Sequence, residues 1–299
     1  IFGIDNLNAY YDVSLKKDRL KILKKNKNRF TFFKINIANK KKINENFLDN
    51  SYDIVIHLAA QAGVRHSIQQ PDDYLQSNIV GFFNIIEASK KIAIKHFLFA
   101  STSSVYGAGK KFPLKEEYNT DKPLSFYAAT KKSNEIMAFT YSNIHKLKCT
   151  GLRFFTVYGP YGRPDMALYK FAEKINKGKN IELYNYGKHE RDFTYIDDVV
   201  KSISKLINKP SKDKIPYNIL NVAGSDPQKL TYFLKEIENA IGKKAKIKYR
   251  GLQQGDVIKT YASSTKLKRK IGFLPRIKIE KGINFFISWY LNYNKKKSK

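Results

Sequence analysis

A tyrosine and a lysine in the stretch "YAATK" have the spacing of a proton-transfer pair. Tyr127 and Lys131 are four residues apart, so a helix through this stretch places both side chains on one face. An ammonium group beside a tyrosine favours the phenolate and lowers the phenol pKa from about 10 toward neutrality. Because many helices contain this spacing by chance, the pair indicates acid–base chemistry only in combination with other polar groups.

A cluster of hydroxyl groups lies upstream of this pair, in the stretch "ASTSSVYG". It follows the apolar run "HFLF", which predicts a buried strand, and it contains Thr102, Ser103 and Ser104. Open α/β sheets bind ligands at the carboxyl ends of their parallel strands. A loop whose hydroxyls bond only the local backbone is the alternative interpretation. The order of the two motifs favours a functional site.

The first residues, "IFGIDN", predict the end of a buried strand that closes on an acid, Asp5. In nucleotide-binding α/β units such an acid holds ribose hydroxyls, about 20 residues after a glycine-rich phosphate loop. The sequence contains neither G-x-G-x-x-G nor G-x-x-G-x-x-G. From the residues alone, Asp5 is either a ribose ligand or an ordinary strand-capping acid.

Strand and helix patterns alternate along the first half of the chain. β-rich runs such as "DIVIHLAA" and "CTGLRFFTVYG" are separated by helical patterns, among them 14–25, 71–92 and 125–146. This alternation predicts an α/β fold with a parallel, doubly wound sheet. We expect a nucleotide-binding domain over residues 1–165, then a smaller mixed α/β lobe over 166–292 with segments returning to the first domain. A disordered basic tail is expected over 293–299.

Composition restricts the function classes. The net charge of +30 comes from 56 Lys and Arg against 26 Asp and Glu, yet only nine of the basic residues are Arg. Because phosphate and base recognition favour the Arg fork, nucleic acid is not the expected partner. The single cysteine, Cys149, excludes an internal disulfide framework and a cysteine-based metal cluster. No apolar stretch approaches the roughly 20 residues of a membrane span, so we expect a cytoplasmic protein with no metal and no membrane partner.

Longer motifs extend over essentially the whole chain, among them "GIDNLNAYYDVSLKKDRL", "HLAAQAGVRHSIQQP", "YAATKKSNEIMA", "GLRFFTVYGPYGRPDMA" and "RDFTYIDDVV". On these motifs the sequence resembles the extended short-chain dehydrogenase/reductase family. Within it, the resemblance is to nucleotide-sugar epimerases close to UDP-glucuronate 4-epimerase. It implies a Rossmann-like first domain, NAD as cofactor, a UDP-sugar substrate, a homodimer and a role in polysaccharide biosynthesis.

The resemblance also assigns Asp5, which matches the family's ribose-binding acid at the tip of the second strand. The family's first strand and glycine loop have no counterpart in these 299 residues. We therefore expect a sheet lacking that strand and loop, and a fragment that by itself is poorly soluble or partly folded and does not retain NAD. Asn36 stands where the family has an acid, so it keeps an acceptor oxygen but lacks the charge. The positions that match cofactor contacts are Asp5, Asn6, Asn36, Ile37, Leu58, Ala59, Ala60, Asn78, Lys131 and Phe154.

The family's mechanism implies a catalytic role for three side chains. Tyr127 takes the proton of the sugar 4-hydroxyl while NAD takes the hydride from carbon 4. Lys131 bonds the nicotinamide ribose and keeps Tyr127 acidic, and Thr102 shares the hydrogen bond to the hydroxyl. The 4-keto sugar then rotates, and the hydride returns to its other face.

The residues after Thr102 distinguish relatives that share this first step. Related dehydratases and decarboxylases have carboxylates there, whereas this chain has Ser103 and Ser104, so elimination is disfavoured. A 4-keto uronate is a β-keto acid, and Thr156 and Arg163 match the positions that hold its carboxylate. The other positions implied at the substrate are Ser103, Ser104, Arg191 at the diphosphate, Asp256 and Gln254 near the nucleotide, and Arg65 and His66 near the sugar.

The sequence thus predicts NAD-dependent 4-epimerisation of UDP-glucuronate to UDP-galacturonate. The alternatives are an epimerase of a neutral or N-acetylated UDP-hexose, a non-catalytic nucleotide-binding protein or inactive fragment, and a basic nucleic-acid binder. The intact set of Thr102, Tyr127 and Lys131 argues against the non-catalytic reading. A salt bridge within its own loop is the alternative for Arg163, and a structural role is the alternative for His66.

Overall fold

The computed structural model of the chain describes residues 1–109, 111–253 and 255–297, with side chains as far as residue 295. These residues form two compact units. The first unit consists of Ile1–Val105, Thr120–Leu152 and Ile207–Ile219. The second consists of Tyr106–Asn119, Arg153–Leu206 and Leu220–Lys299. Both units are therefore built from segments that are far apart in the sequence.

The strands in the described residues are β1 (Phe2–Asp5), β2 (Thr31–Lys34), β3 (Ile54–His57), β4 (His96–Thr102), β5 (Cys149–Phe154), β6 (Thr156–Tyr158), β7 (Asn180–Leu183), β8 (Glu190–Tyr195), β9 (Tyr217–Val222), β10 (Pro227–Lys229) and β11 (Lys246–Tyr249). The helices are α1 (Val13–Leu23), α2 (Lys40–Asn50), α3 (His66–Gln69), α4 (Pro71–Tyr74), α5 (Gly81–Lys91), α6 (Phe126–His145), α7 (Ala167–Asn176), α8 (Ile196–Leu206), α9 (Leu230–Ile241), α10 (Thr265–Ile271) and α11 (Ile279–Lys297).

The prediction of an α/β fold with parallel sheets is confirmed. β3 pairs in parallel with β4, and the four-stranded sheet has the order β3-β4-β5-β9. β1 pairs in parallel with β2, with Asp5 opposite Lys34, in a separate two-stranded sheet. The expected single sheet is therefore divided into two, because among the described strands β1 and β3 each have one paired edge.

β4 is buried along almost its whole length. Its residues Phe97, Leu98 and Phe99 have no exposed surface, as expected for a parallel strand covered on both faces. The Phe82 ring of α5 lies edge-on to both Phe97 and Phe99, at 5.7 and 5.5 Å between ring centroids. This aromatic packing fixes the strand whose carboxyl end carries Thr102.

The second unit has its own core, which is also aromatic. The rings of Phe193 on β8 and Phe233 on α9 stack at 4.1 Å between centroids, and the Tyr158 ring of β6 lies edge-on to both. β8 is the central strand of the sheet β10-β8-β6, antiparallel to β10 and parallel to β6. β7 and β11 form a parallel pair in the same unit.

The structure corrects two predictions about where secondary-structure elements end. "CTGLRFFTVYG" is not one strand but two, because β5 ends at Phe154 and β6 joins β8 in another sheet. The sequence predicts a disordered tail from residue 293, whereas in the structure α11 continues to Lys297. Ile283, Phe286 and Tyr290 are buried at helical spacing along α11, and this apolar stripe holds the helix on the core of the second unit.

Two features are absent from the described residues. No helix among them is both long enough and apolar enough to cross a membrane. No group of three or more His, Cys, Asp and Glu side chains among them has the arrangement of a metal site.

Asp192 on β8 holds two loops of the second unit in place. It is completely buried, and its carboxylate accepts hydrogen bonds from the backbone N–H groups of Ser225 and Ala262, both at 3.0 Å. Its own N–H donates to the Thr260 hydroxyl at 3.1 Å. Burial raises the pKa of Asp192 to about 7, although its backbone hydrogen bonds act in the opposite direction.

We expect the Asp192→Asn substitution to destabilise the protein by about 1–3 kcal/mol, because an amide N–H₂ group then meets a backbone N–H donor. Since folding raises the pKa of Asp192, its contribution to stability is complete below about pH 4 and is lost as pH rises through 7. The loss on substitution should therefore be larger at pH 5 than at pH 8, by about 2 kcal/mol.

Urea unfolding of both proteins at the two pH values measures these losses. Asp53→Asn is the control, because Asp53 forms an exposed ion pair with Lys95 and its loss should change stability little at either pH. Equal losses for Asp192→Asn at pH 5 and pH 8 would show that the carboxylate stays ionised throughout.

Candidate active site

The hydroxyl cluster lies at the carboxyl end of β4, as predicted. Thr102 is the last residue of the strand and is buried, and a short 3₁₀ turn, Ser103–Tyr106, follows it directly. The Thr102 hydroxyl donates to the Ser104 hydroxyl and accepts from the Ser104 backbone N–H, both at 3.2 Å. The turn thereby fixes the orientation of Thr102, while Ser103 and Ser104 stay partly exposed.

The predicted helix carrying Tyr127 and Lys131 is α6. Ser125 caps its first turn by accepting a hydrogen bond from the Ala128 N–H at 3.2 Å, so the tyrosine lies in the first turn. The Tyr127 ring is partly exposed and lies edge-on to the buried Tyr74 ring of α4, at 6.1 Å between centroids. Lys131 follows one turn later and is only 1% exposed.

The charge on Lys131 depends on opposing effects of its surroundings. Burial lowers the pKa of Lys131 to about 8, while the negative charge of Glu135 raises it. Lys131 is therefore still mainly a cation at neutral pH. Burial together with the Lys131 charge lowers the pKa of His57 on β3 to about 3, so this neighbour is neutral.

Asn78, one of the expected cofactor positions, is bonded to protein groups. Its side chain accepts from the Gln61 N–H at 2.8 Å and donates to the Gln61 carbonyl at 3.0 Å. It also donates to the Thr130 hydroxyl at 3.0 Å. Asn78 lies in a π-helical stretch, Leu75–Val80, between α4 and α5. It thus ties the turn after β3 to α6, between Tyr127 and Lys131.

Three more of the expected cofactor positions lie at or just beyond the carboxyl ends of β1 and β2. The Asp5 carboxylate is exposed and accepts from the Leu7 N–H at 2.6 Å, while Asn6 accepts from the Asn8 N–H at 3.0 Å. Asn36, two residues beyond β2, is exposed and accepts from the Ala38 N–H at 3.0 Å. Each side chain supports its own turn with one oxygen.

The remaining cofactor positions differ in exposure. Ile37 is buried, and its carbonyl accepts from the Asn84 side chain at 2.9 Å. Leu58 follows β3 and is 52% exposed, although it is a large apolar residue. Ala59 and Ala60 are half-buried in the same turn, and Phe154 is half-buried at the end of β5.

The residues of the first unit fit a dinucleotide. The Lys131 side chain is buried, and ribose hydroxyl oxygens are acceptors that suit its ammonium donors. The Asp5 carboxylate is an acceptor for ribose hydroxyl donors. Leu58 offers an exposed apolar surface at the same ends of the strands.

In the second unit, the structure brings Thr156 and Arg163 together. Both line one small pocket of about 50 Å³ whose other walls are mainly apolar, among them Met166 and Phe193. The guanidinium of Arg163 donates to both carboxylate oxygens of Asp165, at 2.9 Å from Nε and 2.6 Å from Nη2. The alternative interpretation of Arg163, a salt bridge within its loop, is therefore present in the structure.

Arg191 and Asp256 also belong to the second unit, at β8 and in the segment that runs alongside it. Arg191 donates from Nη1 to the carbonyls of Glu190 and Ile258, at 3.0 and 2.9 Å. Asp256 is partly buried, and its carboxylate lies 3.9 Å from the His189 ring. Gln254 lies outside the described residues.

Arg65 and His66 stand at the start of α3. Arg65 is exposed. The His66 ring packs against Tyr10 and Tyr74, at 4.8 and 5.9 Å between centroids, and its Nε2 lies 3.4 Å from the Asp73 carboxylate. These contacts favour the structural role for His66.

Sequence reasoning missed several polar groups around the predicted residues. Glu135 lies one turn after Lys131, and this second interval of four residues was readable from the sequence. The contact of Asp165 with Arg163 could also have been predicted from the sequence, because the two are only two residues apart. The effect of Lys131 on His57 had no local signal, since the two residues are 74 positions apart in the sequence.

Comparison with known proteins gives consistent matches. Residues 3–223 match the family described as the NAD dependent epimerase/dehydratase family. The chain is 48% identical to protein CapI of Staphylococcus aureus, over 99% of this chain and 92% of that protein. It is 42% identical to UDP-glucuronate 4-epimerase of Thermodesulfobacterium geofontis, over 97% of this chain and 88% of that protein.

A solved structure agrees with these matches. The crystal structure of UDP-glucuronic acid 4-epimerase from Bacillus cereus, in complex with UDP-glucuronic acid and NAD, superposes with a TM-score of 0.91 at 29% identity. The match covers 98% of this chain and 91% of that one. The resemblance inferred from the motifs is thus confirmed: the chain belongs to the NAD dependent epimerase/dehydratase family and is an NAD-dependent epimerase.

Proposed function

We propose that this enzyme interconverts UDP-glucuronate and UDP-galacturonate by 4-epimerisation. The observation that carries the choice of an acidic sugar is the position of Thr156 and Arg163 in the lining of one pocket. A guanidinium beside a hydroxyl can hold a carboxylate by charge-assisted hydrogen bonds. The relatives named as UDP-glucuronate 4-epimerases support the same choice.

The chemistry assigned to the first unit is proton transfer at the sugar 4-hydroxyl. Bound NAD supplies a hydride acceptor and donor at carbon 4, so the cofactor is regenerated in each turnover. Tyr127 accepts the hydroxyl proton as a general base, and the buried Lys131 ammonium stabilises the phenolate that performs this step. The Thr102 hydroxyl, fixed by Ser104, holds the sugar oxygen.

Two features favour epimerisation over the reactions of other family members. Ser103 and Ser104 follow Thr102, so this position lacks the carboxylate needed to eliminate water. A 4-keto uronate loses carbon dioxide when its carboxylate rotates out of line. Holding that carboxylate on Arg163 and Thr156 prevents this loss while the keto group exists.

The contact of Arg163 with Asp165 favours a second candidate, epimerisation of a neutral or N-acetylated UDP-hexose. Asp165 takes the Nε and Nη2 donors that a sugar carboxylate would take. The carboxylate of an acidic sugar must then share the Arg163 guanidinium with Asp165, or displace the Asp165 carboxylate from it. Comparing acidic with neutral sugars on Arg163 variants distinguishes the two candidates.

Measured in a version of the protein extended ahead of residue 1 by the family's first strand and glycine loop, Tyr127→Phe should reduce kcat for UDP-glucuronate by about 10²–10⁴-fold, because only the proton acceptor is removed. Binding of the nucleotide sugar should stay within a few fold of wild type in calorimetry. Tyr141→Phe is the matched control, since it removes from the same helix a hydroxyl that bonds Glu87. A near-normal rate for Tyr127→Phe would disprove the assigned role.

Arg163→Leu should weaken UDP-glucuronate binding by about 10–100-fold and leave UDP-glucose binding nearly unchanged, because a charge-assisted hydrogen bond contributes roughly 1.5–3 kcal/mol. Calorimetric Kd values for both sugars measure the difference. Arg250→Leu, which removes a surface Arg paired with Glu182, is the control. An equal loss of affinity for both sugars would show that Arg163 has a structural role.

A homodimer is also proposed, formed through α5 and α6. Tyr141 of α6 donates to Glu87 of α5, and the two helices expose large apolar side chains, with Phe83 39%, Ile136 56% and Phe139 44% exposed. Apolar groups on neighbouring helices are a typical subunit interface.

Light scattering after gel filtration should give about twice the chain mass of 34.6 kDa for the wild type. Ile136→Glu should shift the protein toward the monomer, because it places a charge in the apolar interface. Ile22→Glu, the same change at an exposed position of α1, should leave the dimer intact. A monomeric wild type would exclude this interface.

A further inference from the structure

α6 carries a third ionisable side chain on the face of Tyr127 and Lys131. Glu135 follows Lys131 by four residues, so the three occupy successive turns, and neighbouring β-carbons lie about 5–6 Å apart. Glu135 is only 3% exposed, and Lys131 is 1% exposed. A carboxylate and an ammonium are thus buried together directly behind the tyrosine.

Glu135 is fixed from outside its own helix. Its Oε1 accepts a hydrogen bond from the Ser101 hydroxyl at 2.6 Å, and Ser101 immediately precedes Thr102 on β4. The Tyr217 hydroxyl donates to the Glu135 backbone carbonyl at 3.0 Å. One strand therefore positions both the hydroxyl of Thr102 and the carboxylate behind Lys131.

The other titratable groups near this part of α6 do not supply the negative charge that the Glu135 carboxylate gives to Lys131. The titratable side chains on the elements around α6 are His57 on β3, His96 on β4, His66 on α3, Tyr74 on α4, Glu87 and Lys90 on α5, and Tyr217 on β9. His57 is neutral, with a pKa of about 3. The His96 ring bonds the Ile207 carbonyl and the Thr150 hydroxyl. Glu87 bonds Lys90 and Tyr141, and His66 faces Asp73.

An ammonium buried without a nearby negative charge tends to lose its proton, because burial disfavours the charged form. A neutral Lys131 could no longer stabilise a phenolate at Tyr127. Burial and the charge of Glu135 act on the pKa of Lys131 in opposite directions, as their geometry requires.

We propose that Glu135 is a positioning residue of the proton-transfer site, whose carboxylate keeps Lys131 cationic beside Tyr127. This inference rests on the proposed function of Tyr127 as the proton acceptor. Glu135 itself touches neither the substrate nor the reacting atoms, and it acts through Lys131. Ser101 supports it by holding the carboxylate from β4.

The test is the pH profile of kcat/KM for Glu135→Gln, which nearly preserves shape and removes the charge. With less ammonium on Lys131, ionisation of Tyr127 needs a higher pH, so the acid limb should move up by about one pH unit or more. Lys131 should lose its proton at lower pH, so the alkaline limb should move down. The profile therefore narrows from both sides, and Glu135→Asp should restore part of its width.

Two further variants keep the test decisive if Glu135→Gln folds poorly. Ser101→Ala retains the carboxylate but removes its hydrogen bond, so it should narrow the profile in the same sense by a smaller amount. Glu87→Gln is the control, because it removes a carboxylate that bonds α6 two turns away, through Tyr141, and it should leave both limbs unchanged. A folded Glu135→Gln protein with a reduced rate but unshifted limbs would show a merely structural role and overturn the proposal.

A measurement without turnover separates this inference from the proposed function. The ultraviolet tyrosinate signal of Tyr127 is obtained as the difference between each protein and its Tyr127→Phe counterpart. Its midpoint should move to higher pH in Glu135→Gln. If this shift occurs while the wild type, extended by the family's first strand and glycine loop, fails to epimerise UDP-glucuronate, the role of Glu135 is supported and the proposed function fails. If turnover is normal and the midpoint does not move, the inference about Glu135 fails alone.

Discussion

Burial of the Lys131 ammonium is the constraint around which the first unit is arranged. A lysine removed from water tends to become neutral, and here burial lowers its pKa to about 8. The surroundings limit this effect: Glu135 contributes a negative charge, and His57 is neutral and adds no competing positive charge. The resulting side chain is a cation near neutral pH, in a position where a small change in local charge alters its protonation.

That arrangement depends on the rigidity of the elements around it. β4 is buried on both faces, and it ends with Ser101 and Thr102, which bond Glu135 and Ser104. Asn78 connects the turn after β3 to Thr130 on α6, between the tyrosine and the lysine. Because these bonds run between different elements, the polar groups keep their geometry without relying on long, exposed side chains.

The charged groups of the second unit are compensated differently. Asp192 is surrounded by backbone N–H donors rather than by a cation, and its burial raises its pKa to about 7. Arg163 is paired with Asp165 two residues away, in a pocket that is otherwise mainly apolar. The charge of this arginine is therefore already compensated within its loop, so the proposed binding of an acidic sugar would depend on how Asp165 shares the guanidinium.

The sequence by itself determined the parallel α/β class, the hydroxyl cluster after β4, and the common face of Tyr127 and Lys131. These depend on local hydrophobic patterns and on helical spacing, which the chain carries in consecutive residues. Only the tertiary structure decided the division of the strands between separate sheets, the break between β5 and β6, and the helical end of the chain to Lys297. It also decided the contacts of Asn78 with Gln61 and of Glu135 with Ser101, because these join residues 17 and 34 positions apart, and no local pattern specifies which distant partner a polar group meets.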